Sequence, residues 1–364
     1  MPIVSNWPNV RIENRYLDLY YGALAAHGVT LGPGCEVRDD FLRAHAGTID
    51  AIQFQWAPEQ IWRCRGTSLW ARARGLAGFW KYLRLARSLG IRIVWTLHDV
   101  EHHEGSGRLD ELGYRLLARF ADLCIVHDEW AADQFVRRFG GSRERVRVME
   151  HGNYDGVFPA AASRAETLAR FGIDPARRVL LCQGNIRPYK RFDLAIEAAK
   201  RLGAEYHLIV AGRPPDPAFA DELRRTAAGT ANVTLLLGSQ SDQVVSDLFA
   251  AADCFLLPYA KITGSGSLLT TATLGRGFVA SELPYFRAAL AQEPDAGVCF
   301  PVGLVEGLCN AVRAFFAGDV PARHHAARRI ADRVPWGEVV RPVTEWFHRT
   351  CPVRAPRTAE VGAP

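Results

Sequence analysis

Short apolar runs recur along the chain, each followed by a stretch in which apolar residues return at helical spacing. In the first half, runs at Ile3–Val4, Ala51–Phe54, Ile91–Leu97, Leu123–His127 and Val146–Met149 predict strands. Ile91–Leu97, IRIVWTL, is apolar at nearly every position, as expected of a parallel strand covered on both faces. Between these runs, Leu17, Tyr20, Tyr21 and Leu24 mark a helix over about 14–27. A long helical region reaches about Leu89, and another helix is expected over about 109–120. The second half repeats the alternation, with strands expected at Val179–Cys182, Tyr206–Val210, Val233–Leu236, Cys254–Leu257, Phe278–Ala280 and Gly297–Phe300. Strands and helices in strict alternation predict an α/β protein with parallel sheets. Pro159–Thr167 has no large apolar residue to anchor it in a core, which places a domain boundary near Phe158. The expected organisation is therefore a domain over 1–157 and a second over 158–335. A C-terminal helix over 336–351 is expected to pack back on the first domain, and 352–364 reads as a disordered tail.

A length of 364 residues fits two domains. No apolar run of about 18 residues is present, so no membrane span is expected, and the first residues carry no secretory signal pattern. Eight cysteines form no CxxC pair, and Cys124 and Cys254 lie inside apolar runs. They read as buried thiols in a reducing cytoplasm, with neither a disulfide frame nor a zinc site. The net charge of +5 is unevenly placed. Between Ile61 and Arg92 stand seven arginines and Lys81 with no acid, interleaved with Trp62, Trp70, Phe79, Trp80 and Tyr82. Such a stretch suits either contact with an anionic membrane surface or a helix with a solvated basic face and an aromatic core face. No nucleic-acid-binding motif accompanies it.

The chemistry concentrates in Val179–Lys200, VLLCQGNIRPYKRFDLAIEAAK. A buried strand leads into a loop with Gly184 and Pro188, and Arg187, Lys190 and Arg191 sit where the next helix presents its free N–H groups. Backbone donors, the positive helix end and these cations together suit a dianion such as a diphosphate. An ordinary turn with solvated basic residues has the same sequence appearance. A second glycine-rich loop, TGSGS, runs over Thr263–Ser267. Gly264 and Gly266 let amides approach an oxygen closely, and Thr263, Ser265 and Ser267 add hydroxyls; the alternative is a helix cap.

The ordered landmarks GNIRPYKRFDLAIEA, LIVAGRP, NVTLLLG, AADCFLLPY and GSGSLLTTATLGRGFVAS resemble the donor-binding domain of GT-B nucleotide-sugar-dependent glycosyltransferases of the group 1, family 4-like type. DAIQFQWAPE, IRIVWTLHDVEHHE and VMEHGNYDGVF resemble the acceptor domain of bacterial exopolysaccharide enzymes, xanthan-type mannosyltransferases in particular. The resemblance implies two Rossmann-like domains facing across a cleft. It also implies a donor diphosphate neutralised by Arg187 and Lys190 in the loop that Gly184 opens; Tyr259, which flanks the glycine-rich loop, is a candidate for contact with base or phosphate. The family carries Gly-Arg where this chain has Gly184-Asn185, and two glutamates where it has Ile262 and Thr270. The missing carboxylates favour inversion at the sugar carbon, with His98 or Asp99 as base for the acceptor hydroxyl. Glu101, His151 and Arg213 are further candidates for the cleft. His102 and His103 with Glu101 and Glu104 match no zinc spacing, and no metal or other cofactor is expected. The implied protein is a cytoplasmic glycosyltransferase using a GDP- or UDP-sugar, with a glycan or lipid-linked acceptor and no nucleic-acid partner. A soluble acceptor, or a non-catalytic nucleotide-sugar-binding subunit, is the alternative.

Overall fold

A computed structural model describes residues 1–8, 15–56, 58–64, 66, 68–98, 107–262 and 264–351. Asp99, Glu101, Glu104, Thr263 and the tail from 352 lie outside the described residues. The chain divides into two compact units, Met1–His151 together with the segment from Trp336, and Gly152–Pro335.

The first unit holds a parallel sheet of six strands: β1 (Ile3–Trp7), β2 (Thr30–Leu31), β3 (Ala51–Phe54), β4 (Arg92–Leu97), β5 (Leu123–Val126) and β6 (Val146–Val148). Their order is β2-β1-β3-β4-β5-β6, with Ile52 opposite Ile93 and Val94 opposite Leu123. The period of two along β4 sends Ile93, Trp95 and Leu97 into one apolar cluster and Val94 into the other, so both faces are covered. The edge strand β2 is only two residues long, Thr30 and Leu31, too short to stand out as an apolar run. The helix Arg341–Thr350 buries Val343, Trp346 and Phe347 among Val4, Tyr20 and Leu24, and His348 Nε2 meets the His27 carbonyl at 2.7 Å.

The basic–aromatic stretch divides. Trp62, Phe79 and Tyr82 are core residues, and Trp62 Nε1 donates to Asp110 at 2.9 Å. On the helix Leu69–Ser88, capped by Ser68, Trp70 and Trp80 stay 85% and 40% exposed, and the Arg84 guanidinium lies 4.8 Å from the Trp80 ring centre.

The second unit holds β7 (Arg178–Gln183), β8 (Tyr206–Gly212), β9 (Val233–Leu237), β10 (Cys254–Leu257), β11 (Phe278–Ser281) and β12 (Gly297–Phe300), all parallel. Their order is β12-β11-β10-β7-β8-β9, so the winding reverses between β7 and β10. The boundary expected at Phe158 falls at Gly152, because the next residues are tied into this unit. Asn153 donates through its backbone N–H to Val334 and through its side chain to Ala331, and the Tyr154 N–H donates to Thr273 Oγ1 at 3.0 Å. The cysteines are free thiols; all but Cys64 and Cys299 are buried.

Candidate functional site

In doubly wound sheets, the carboxyl ends of the two strands flanking the reversal diverge and leave a crevice for a ligand. Here those strands are β7 and β10, and the two glycine-bearing loops follow them directly. The loops are joined where the Ala260 N–H donates to the Tyr189 carbonyl at 2.8 Å. After β7, Gly184 takes φ +120° and a 3-10 turn, Pro188–Lys190, leads into the helix Phe192–Leu202. A Cβ on Gly184 would lie 3.2 Å from Lys190 Nζ and 3.5 Å from Ser267 Oγ. At Gly212, φ +147°, a Cβ would run into the Gly184 carbonyl, so both strand ends depend on glycine.

Lys190 is 7% exposed. Its Nζ donates to Ser267 Oγ at 3.3 Å and lies 5.5 Å from the Tyr259 ring centre. Burial, and then the charge of Arg187, lower its pKa from 10.5 to about 8. Half-buried Arg187 donates to the neighbouring Ile186 carbonyl, and neither cation forms an ion pair with a described residue. Two positive groups thus stand together without a carboxylate among the described residues paired to either. Arg191 is withdrawn from this site, because its guanidinium pairs with Asp193 at 3.0 Å. Ser265 is buried and spends its hydroxyl as the cap of the helix Gly266–Thr273, accepting from the Leu268 N–H at 3.0 Å. Gly264 is exposed, and Ser267 faces Lys190. Tyr259, expected near base or phosphate, is 1% exposed and packs edge-on against Tyr189 and Phe286. Its ring supports the lysine from below. Arg213 has an exposed side chain, and its carbonyl accepts from the Ile186 N–H at 2.9 Å.

In the first unit, a second cluster lies at the carboxyl ends of β3 to β6. His98, just after β4, stacks on Trp56 with ring centres 4.1 Å apart. Its Nε2 is 2.8 Å from Gln55 Oε1, and its Nδ1 is 3.3 Å from His127 Nε2. His127 Nδ1 in turn meets the Met149 carbonyl at 2.8 Å. The Tyr16 ring contacts His98, His127 and His151, and Trp336 lies against His151. Burial, then His127 and His151, hold the pKa of His98 well below the usual imidazole value. His98 is thus neutral with both nitrogens engaged. Gln55, Trp56, Tyr16 and His127 escaped the sequence reading; the polar glutamines within IQFQW were the available signal. Among the described residues, no group of three His, Cys, Asp or Glu side chains is placed to hold a metal ion.

Residues 177–348 match the family Glycosyl transferases group 1, and residues 73–152 match Glycosyltransferase Family 4. These matches fit a group 1 glycosyltransferase. The first match contains the whole Lys190 site, and the second contains His98, His127 and His151. A GDP-mannose:glycolipid 4-beta-D-mannosyltransferase of Xanthomonas campestris pv. campestris is 27% identical over 248 residues, 64% of this chain and 63% of that protein. The similarity therefore spans less than two thirds of that relative. A D-inositol 3-phosphate glycosyltransferase of Mycolicibacterium gilvum is 30% identical over 151 residues, covering 40% of this chain and 34% of the other. Among solved structures, Anabaena HepE in complex with UDP superposes with a TM-score of 0.72 at 15% identity, over 95% of this chain and 99% of that one. The two parallel sheets are those of the GT-B fold.

Proposed function

We propose that this glycosyltransferase moves a sugar from a nucleoside diphosphate donor to a hydroxyl of a glycan or lipid-linked acceptor, without a metal ion. The observation that carries this reading is the Arg187–Lys190 pair, uncompensated by a described carboxylate, at the ends of the two strands where the sheet winding reverses. When the bond to the sugar breaks, negative charge develops on the leaving diphosphate, and preorganised cations lower the barrier by meeting it. Here an ammonium and a guanidinium take that role. The Xanthomonas relative is named for GDP-mannose and a β-linked product. HepE is named for its complex with UDP. A β-linked product is what inversion of an α-configured donor gives, in keeping with the absence of carboxylates at Ile262 and Thr270.

A thermal-shift series with GDP-, UDP-, ADP- and dTDP-sugars, each with and without EDTA, tests the reading. A nucleotide at 100 times its Kd stabilises the folded chain by about 2.7 kcal/mol. One nucleotide is expected to shift the melt regardless of EDTA, and Lys190→Ala and Arg187→Ala are expected to remove the shift. A melt unmoved by all four donors reduces the Gly184–Lys190 loop to a plain turn.

A second observation favours the lipid-linked acceptor. Trp70 and Trp80 stand exposed on a helix bearing Arg72, Arg74, Lys81, Arg84 and Arg87. Tryptophans beside basic residues suit the interface of an anionic bilayer, and no described helix is long and apolar enough to cross one. The chain is expected to co-sediment with vesicles containing about a third phosphatidylglycerol. Trp70→Ser/Trp80→Ser is expected to weaken this several-fold while leaving the nucleotide shift intact. Equal sedimentation of wild type and variant rules out the two tryptophans as membrane contacts.

A further inference from the structure

The hydrogen bonds around His98 have a fixed polarity that can be followed from one end. Asn6 Nδ2 donates to the Pro8 carbonyl at 3.0 Å, so Asn6 Oδ1 faces Tyr21 Oη at 2.8 Å. Gln53 turns its Nε2 to Thr96 Oγ1 at 2.8 Å and to Tyr20 Oη at 3.0 Å, leaving its Oε1 3.1 Å from Tyr21 Oη. The Tyr21 hydroxyl therefore meets two amide oxygens, and its proton goes to one of them. Its oxygen is left to accept from Gln55 Nε2 at 3.3 Å. This orients the Gln55 amide with Oε1 toward His98, and His98 Nε2 must carry a hydrogen. In a neutral ring Nδ1 then has a lone pair, which accepts from His127 Nε2. The Met149 carbonyl also only accepts, so His127 Nδ1 carries a hydrogen as well. Three hydrogen bonds need three protons, and two neutral imidazoles bring two.

We propose that His98 and His127 together hold one proton more than two neutral imidazoles, with His127 the doubly protonated positioning residue that fixes His98 as its Nε2–H tautomer. The proton count stands on the geometry of this unit alone; its catalytic consequence rests on the glycosyltransferase reading. In that reading His98 serves as a hydrogen-bond donor, its Nε2–H passing from Gln55 to a substrate oxygen, and not as the base for the acceptor hydroxyl. Loss of the extra proton at higher pH removes the donor to either Met149 or His98, and the ring is no longer held. Among the described residues, the titratable groups against His127 are His98 beyond β4, His151 beyond β6 and Tyr16 on the helix Tyr16–Ala26.

The test is long-range 1H–15N correlation spectroscopy of the histidine rings in the full chain from pH 5 to 9, with His98→Gln and His127→Gln for assignment. His98 is expected as the Nε2–H form throughout. His127 is expected with both nitrogens protonated at pH 6 and one proton lost as pH rises. Tyr21→Phe frees the Gln55 amide to turn, so His98 is expected to become a mixture of tautomers, because among the described residues Gln55 is the hydrogen-bonding link between the two. In turnover, His127→Gln is expected to remove the alkaline fall in kcat while leaving the KM for the nucleotide sugar within about twofold. A singly protonated His127 at pH 6, His98 as the Nδ1–H form, or a His98 tautomer unmoved by Tyr21→Phe overturns the proposal.

Discussion

Lys190→Met is expected to stabilise the unliganded chain at pH 7 while abolishing its stabilisation by the donor nucleotide. Lys190 is a cation buried beside Arg187, and its pKa in the folded chain is about 8 against an ordinary 10.5. The native state therefore disfavours the charged form, by about 3 kcal/mol at 1.36 kcal/mol per pKa unit. Methionine keeps the unbranched stem over the Tyr259 ring and removes the charge, at the loss of the hydrogen bond to Ser267, about 1 kcal/mol. A net gain of about 2 kcal/mol follows. The sign in pH follows from proton counts. Between about pH 8 and 10.5 the unfolded chain binds the proton that the folded chain has released, so wild-type stability rises with pH across that window. Below pH 8 the penalty is complete. Urea denaturation at pH 7 and pH 10 is thus expected to show the variant ahead at pH 7 and the gap narrowing at pH 10. Donor affinity in the wild type is expected to fall above pH 8, where the free site loses its ammonium. A variant less stable than wild type at pH 7, by a margin constant in pH, means that the lysine is a structural group and not a site held ready for an anion.

The two sheets were legible because their central strands are covered on both faces. β3, β4, β5, β7, β8 and β10 are buried almost throughout and stand in the sequence as continuous apolar runs. Lys190 was legible for a local reason, a cation two residues after Pro188 in a strand-to-helix loop. Arg191 reads identically in sequence, yet Asp193 two residues on takes its charge. Tyr259 ends an apolar run next to a glycine-rich loop, but nothing in that pattern tells whether its ring faces a ligand or, as it does, the underside of a lysine. The His98 network was hidden for another reason. Asn6, Gln55, His98 and His127 come from the ends of four strands far apart in sequence, and parallel pairing alone makes them neighbours. Periodicity places each residue on a strand, whereas strand order decides which ends share a site.

Asp110→Asn is expected to destabilise the first unit by about 3–5 kcal/mol. Asp110 is 1% exposed in the first turn of the helix Arg108–Phe120. It accepts from Trp62 Nε1 at 2.9 Å, Arg63 Nε at 3.1 Å, Arg63 Nη2 at 2.6 Å and the Gly107 N–H at 3.0 Å. Burial alone would raise its pKa, but the hydrogen bonds from Arg63, Trp62 and Gly107 outweigh it and bring the value to about 2. Asparagine keeps the shape but turns one acceptor into a donor facing these N–H groups, and leaves the Arg63 guanidinium without its partner. No rearrangement of Trp62 relieves this, because its ring already presses on Gly113, where even a methyl group finds no room. The pH dependence has the opposite sign to that of Lys190. Because the folded pKa is depressed, the stabilisation is complete above the unfolded value near 4 and is lost as pH falls toward 2, about 2 kcal/mol in all. Urea denaturation followed by tryptophan fluorescence is expected to show a large gap between wild type and Asp110→Asn at pH 7, shrinking at pH 2.5. The nucleotide shift of the second unit is expected to survive wherever the variant is folded, since Asp110 belongs to the first unit and the Lys190 site to the second. A gap of less than about 1 kcal/mol at pH 7 means that Trp62 is held by its apolar surroundings alone, and that the carboxylate merely satisfies an indole N–H on its way past.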